Sequence, residues 1–174
     1  MEIRSTLAVV KRIAEDMQLL LRRPPRQQYA ALCYRIRKKT GEVEVLLLTS
    51  RDTGRWIIPK GWPMRGKKSH TVAEREAWEE AGVKGKVARQ PYGYFTYQKG
   101  LRKGFNVTCR VQTHLLEVKD MEKDFPEKGS RQLEWVTCQE AASRVREPEL
   151  KVMFLRFRQE MEIARQETLR VAAS

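Results

Sequence analysis

Three glutamates set the chemistry open to this chain. Glu76, Glu79 and Glu80 stand at i, i+3 and i+4, so on a helix they share one face. Carboxylates held that close repel one another unless cations neutralise them. Mg²⁺, a hard divalent cation, prefers such oxygen ligands, and Mn²⁺ takes the same donors. Val72, Ala73, Ala77 and Ala81 lie mostly on the other side, where small residues let a helix approach a sheet closely. Arg75 is placed to hold one of the carboxylates by a charge-assisted hydrogen bond. A solvated acidic helix face has the same spacing, so the glutamates alone do not decide.

The flanking elements are read from periodicity and turn residues. Thr71 and Glu74 form a capping-box pair that opens the helix, and Gly82 suits the left-handed residue that closes it. Before it, Lys60 to His70 has glycine, proline and no periodicity, and reads as a loop. Strands are expected at Tyr29–Arg35, Val43–Thr49 and Trp56–Ile58, the last ended by Pro59. Further strands are expected at Tyr92–Tyr97, Phe105–Val118 and Leu133–Thr137. Helices are expected at Gln139–Val145 and Glu149–Thr168. Residues 6–22 read as a basic amphipathic helix, broken by Pro24 and Pro25. Strands and helices mix without a regular βαβ rhythm, which favours an α+β fold.

From Gly61 the sequence runs thirteen residues and then Arg75-Glu76-Ala77-Trp78-Glu79-Glu80-Ala81-Gly82-Val83. This long, fixed spacing resembles the Nudix box, the loop-helix-loop signature of pyrophosphate hydrolases. Ile57-Ile58-Pro59 occupies the place of the strand and proline that precede the box in that family. The resemblance implies an α/β/α sandwich with a mixed sheet, here over residues 26–147. Outside the resemblance, residues 1–25 are expected to form an N-terminal helix with a proline linker, and 148–174 a C-terminal helix. The resemblance implies hydrolysis by water with a divalent metal ion neutralising phosphate oxygens. Glu76 and Glu80 are the expected metal ligands, with Glu79 beside them and the backbone carbonyl of Lys60 completing the set. Arg75 and Gly82 keep structural roles. Glu79 is the expected general base. Glu127 and Glu134, near the last strand, are the candidates if the base comes from a loop, with Glu127 preferred because Glu134 leads into a strand. One position departs from the family pattern: Lys67 stands where an acidic residue is usual.

Within the family the stretch Ser50-Arg51 followed by Arg55-Trp56-Ile57-Ile58-Pro59 is similar to the diphosphoinositol polyphosphate and diadenosine polyphosphate hydrolases. That likeness places Arg26, Ser50, Arg51, Gly61, Arg102 and Lys103 near the substrate. Trp62 follows the box glycine and is positioned to meet a base or a ring, with Tyr94 and Tyr97 weaker candidates.

The bulk charge agrees. Lys and Arg number 35 against 22 Asp and Glu, a net charge of +13 that attracts anionic partners from a distance. A polyphosphorylated small molecule is favoured. An RNA 5′-pyrophosphohydrolase and a non-catalytic nucleotide sensor are the alternatives, and a homodimer is compatible. No apolar run approaches the roughly 20 residues of a membrane span. Charged residues interrupt the N-terminal apolar positions, and the cysteines Cys33, Cys109 and Cys138 lack metal or redox spacing. A cytoplasmic protein with reduced core thiols is expected. Replacing Glu79 or Glu80 by Gln is expected to lower turnover by orders of magnitude in each case. Near-normal steady-state rates in both variants would remove the metal-site assignment.

Overall fold

The computed structural model describes residues 24–100 and 106–172; the expected helix at 6–22 lies outside them. A mixed eight-stranded sheet forms the centre. In chain order its strands are β1 (Arg26–Ile36), β2 (Val43–Thr49), β3 (Trp56–Ile57), β4 (Lys60–Gly61), β5 (Val83–Val87), β6 (Gly93–Gly100), β7 (Asn106–Met121) and β8 (Leu133–Thr137). Its main path runs β3-β2-β1-β7-β5, with β4 on β1, β6 on β7 and β8 on β2. β1 and β7 pair in parallel, Arg26 opposite Cys109 and Tyr34 opposite Glu117. The other pairings are antiparallel.

The sheet is covered on both faces, because alternate residues along each strand point to opposite sides. Ala31, Cys33, Leu46, Leu48 and Leu116 face α1 (Ser69–Ala81), which buries Ala73, Ala77 and Ala81 against them. Ala30, Leu32, Val45, Leu47 and Val111 face α2 (Cys138–Arg144) and α3 (Pro148–Ala172). The first half of α3 supplies Leu150, Met153, Phe154 and Phe157. Burying each of these large side chains stabilises the fold by roughly 1.5–3 kcal/mol. The architecture is therefore the expected α+β sandwich. Cys33, Cys109 and Cys138 are all buried and free.

Two local expectations are corrected. The capping box at Thr71 and Glu74 does not form: α1 begins at Ser69, after Lys68, which gives no side-chain cap. The reason is tertiary. Ser69 Oγ is held 3.1 Å from His114 Nε2 and 3.0 Å from Gln112 Nε2, both on β7. His114 is fully buried, its Nδ1 lies 2.9 Å from the Ala88 carbonyl, and burial lowers its pKa. β5 was not expected, because Val83-Lys84-Gly85-Lys86-Val87 has little apolar content. It forms as a bulged edge on β7.

Gly82 ends α1 at φ 68°, donating to the carbonyls of Ala77 and Trp78. A Cβ there would come within 2.6 Å of Phe125 Cδ1 and 2.7 Å of the Glu122 carbonyl oxygen. Gly82→Ala should therefore cost at least ~1–2 kcal/mol from the left-handed backbone alone. Urea unfolding checks this, and a midpoint equal to the wild type's would show that the turn relaxes freely.

Candidate functional site

The site is built where the start of α1's approach loop meets the middle of the sheet. β4 is only two residues long, but it pairs Lys60 with Ala30 and Gly61 with Tyr29. That pairing fixes the backbone just before the box and aims the Lys60 N–H at Glu80, which accepts it at Oε2 (3.1 Å). Gly61 matters here by contact rather than by φ. A Cβ on it would stand 1.9 Å from Glu76 Oε1, so the carboxylate occupies the space a side chain would fill.

Glu80 is buried, at 6% exposure. Its other oxygen, Oε1, pairs with Arg131 Nη2. Burial raises the Glu80 pKa, while Arg131, the Lys60 ammonium and the Lys60 amide oppose the rise. Glu76 is pushed up to about 7 by burial first and then by Glu80, Glu79 and Glu127. Glu79 lies towards solvent, paired with Arg75 one turn away at 2.6 Å. Glu127 comes from the loop before β8. Its N–H donates to the Glu79 carbonyl (3.0 Å), and its carboxylate meets Arg131 Nε at 2.8 Å and Arg51 Nη1 at 3.2 Å. Four carboxylates thus gather at one edge of α1. Glu134 does not join them. It sits opposite Leu47 in the β2–β8 register, on the sheet face away from α1, and pairs with Arg144 at 2.6 Å.

A basic and aromatic wall continues from this cluster. Lys60 Nζ lies 5.3 Å from the centre of the Tyr97 ring, and its pKa is lowered to about 8 by burial, against the attraction of Glu80. Tyr97 donates to Gln28 Oε1 at 2.7 Å. Arg55 also lies over Tyr97 and pairs with the buried Glu147. Further out, Trp62 is flanked by Arg26 at 4.9 Å and Lys99 at 5.1 Å. Two cations therefore contact the ring that was expected to meet a base. Ser50 Oγ and Thr53 Oγ1 are 2.6 Å apart in the turn that carries Arg51. Tyr94 is exposed and stacks with Arg110 instead. Lys67 is exposed in the box loop. Arg102 and Lys103 lie outside the described residues.

The donor set suits a hard divalent cation. Glu76, Glu79 and Glu80 offer carboxylate oxygens, and the Lys60 backbone is pinned beside Glu80. As the side chains stand, no three of His, Cys, Asp or Glu among the described residues are gathered tightly enough to hold an ion. Arginines hold two of the carboxylates instead: Arg75 on Glu79 and Arg131 on Glu80. Arg131 escaped the sequence reading, as did the Arg55–Glu147 pair. Both bridge distant parts of the chain, and no local spacing marks such contacts.

Comparison with known proteins bears on the family and the fold. The sequence model of the NUDIX domain matches residues 26–157. Human diphosphoinositol polyphosphate phosphohydrolase 3-beta is 33% identical over 119 residues, 67% of this chain and 66% of its own length. Nudix hydrolase 12, mitochondrial, of Arabidopsis thaliana is 31% identical over 106 residues, 58% of this chain and 51% of its own. The matched part thus spans between half and two thirds of these relatives. The fold is similar to a C. elegans Ap4A hydrolase binary complex, with a TM-score of 0.58 at 21% identity over 78% of this chain and 97% of that one.

The raised Glu76 pKa gives a pH test. The unfolded carboxyl ionises near 4.5 and the folded one near 7, so Glu76 favours the fold at low pH and loses that contribution as pH rises towards 7. A divalent cation needs the ionised form. The Mg²⁺-induced rise in Tm should be larger at pH 8 than at pH 6, and Glu76→Gln should remove the difference. Equal increments at both pH values in the wild type would refute the coupling.

Proposed function

The chain belongs to the NUDIX domain family, and from that premise we infer that it is a divalent-metal-dependent pyrophosphohydrolase acting on a polyphosphorylated small molecule, a diphosphoinositol polyphosphate or a diadenosine polyphosphate. The observation that carries this reading is the meeting of two charge zones. Glu76, Glu79, Glu80 and Glu127 stand at one end, and Arg51, Lys60, Arg26 and Lys99 line the approach. A phosphate chain needs both: cations along its length and a carboxylate-held metal at the bond to be cut.

Glu76, Glu80, Glu79 and the Lys60 carbonyl would hold Mg²⁺ or Mn²⁺. The ion supplies neutralisation of phosphate oxygens and a lower pKa for water. The water oxygen forms a new bond to phosphorus, the anhydride P–O bond breaks, and the leaving phosphate departs with the bonding electrons. Glu79 takes the proton from the water, with Glu127 the second carboxylate suited to that role. Arg51 in the Ser50 turn, and Arg26 beside Trp62, hold the phosphates away from the cut. Arginine suits this through bidentate contact. Two named relatives support the substrate class: one is a diphosphoinositol polyphosphate phosphohydrolase, and one solved structure is an Ap4A hydrolase. Among the described residues no helix is long and apolar enough to cross a membrane. The free buried thiols fit a reducing compartment such as the cytoplasm.

The net charge of +13 favours a second reading, an RNA 5′-pyrophosphohydrolase. The two separate by salt, since RNA backbone contacts make activity fall steeply between 50 and 200 mM salt. The deciding experiment is product analysis with Mg²⁺ over diadenosine polyphosphates, a diphosphoinositol polyphosphate, ADP-ribose, a nucleoside triphosphate and a 5′-triphosphorylated RNA. Turnover of one of the first two, abolished by Glu80→Gln, is expected. Tight binding without turnover of any member would instead mark a nucleotide sensor and make Lys67→Glu the reversion to try.

A further inference from the structure

Arg131 is an enclosed cation beside the carboxylates, with a side chain only 5% exposed. Its guanidinium has three partners. Nε donates to Glu127 Oε2 at 2.8 Å, Nη1 to the Thr49 carbonyl at 3.0 Å, and Nη2 to Glu80 Oε1. The planar fork thus ties together β2, the loop before β8 and the C-terminal turn of α1. Glu80 is held from two sides, because its Oε2 already accepts the Lys60 N–H. One oxygen is fixed by a backbone amide that the pairing of β4 with β1 holds in place. The other is fixed by a side chain, which can move.

We propose that Arg131 is the resident counter-cation of the site, which a divalent ion exchanges with at Glu80 Oε1, and that it thereby sets how weakly the metal is held. This rests on the reading of Glu80 as a metal ligand. Arg131 has two opposing effects on the metal. It orients Glu80 and Glu127, which favours binding. It also places a positive charge on the oxygen the metal needs, which opposes binding. The second effect is the larger, because the Lys60 amide still orients Glu80 when Arg131 is gone, whereas a like charge this close and this buried is little screened. Arg131 is accordingly a positioning residue, and its guanidinium keeps the ion-free carboxylates from repelling one another apart.

Calorimetric titration of the ion-free protein with Mg²⁺ tests this without any substrate. Arg131→Met keeps the length and removes the charge, and should tighten Mg²⁺ binding by about tenfold or more. Arg131→Lys keeps the charge and should stay near the wild type. Arg131→Met should also melt at lower temperature without metal and recover most of the loss with it. Unchanged or weaker Mg²⁺ binding in Arg131→Met overturns the exchange while leaving the metal site standing. A wild type that binds no Mg²⁺ overturns both. If Arg131→Met does not fold, the wild type gives the answer by ¹⁵N NMR. The Arg131 Nε–H resonance, identified by its absence from Arg131→Lys, should shift and lose its protection when Mg²⁺ is added. A resonance indifferent to Mg²⁺ overturns the proposal.

Discussion

Neutralisation of buried negative charge is the constraint on which this structure turns. Glu80 is almost entirely out of water, and together with Glu79 and Glu127 it stands close enough to raise the proton affinity of Glu76. A charge in that position costs several kcal/mol unless it is met by hydrogen bonds and opposite charge. The fold meets it with one backbone amide and one guanidinium. Glu79 and Glu127 are shared between Arg75, Arg51 and Arg131.

The rest of the architecture reads as the means of holding those partners in place. β4 is short, yet its pairing with β1 brings the Lys60 amide to Glu80 and sets Gly61 against Glu76. The alanines of α1 let the helix lie close to the sheet, and Ser69 is anchored to β7 through His114 and Gln112. α1 has no acidic residue in its first turn and no basic residue in its last, so its dipole is not offset by its own sequence. Packing and tertiary hydrogen bonds hold it, which is why its first residue was set by β7 and not by a capping box.

The spacing of Glu76, Glu79 and Glu80 was legible because a helix converts sequence interval into a shared face. Gly82 was legible because few residues other than glycine accept a left-handed backbone. The strands with alternating or continuous apolar residues were read nearly to their ends. What the sequence did not disclose depends on contacts between distant segments. Arg131 looks like any other polar loop arginine until Thr49, Glu80 and Glu127 surround it. The contacts of Arg26 and Lys99 with the Trp62 ring are likewise unmarked by any local spacing. β5 is a strand because β7 offers it an edge, and its own residues say little.

The parallel pairing of β1 with β7 has a consequence for how the site comes into being. Parallel neighbours cannot be joined by a tight turn, and here everything from β2 to β6 lies in the chain between them. All three helix glutamates, Gly61 and the Ser50 turn therefore belong to one long excursion whose two ends must meet before either sheet face is complete. Such non-local closure loses chain entropy before it gains contacts, which slows folding relative to proteins of local topology. β8 and Arg131 arrive later still along the chain. A nascent chain can form the glutamate helix early, but it acquires the cation that makes that helix tolerable in the interior only 51 residues after Glu80.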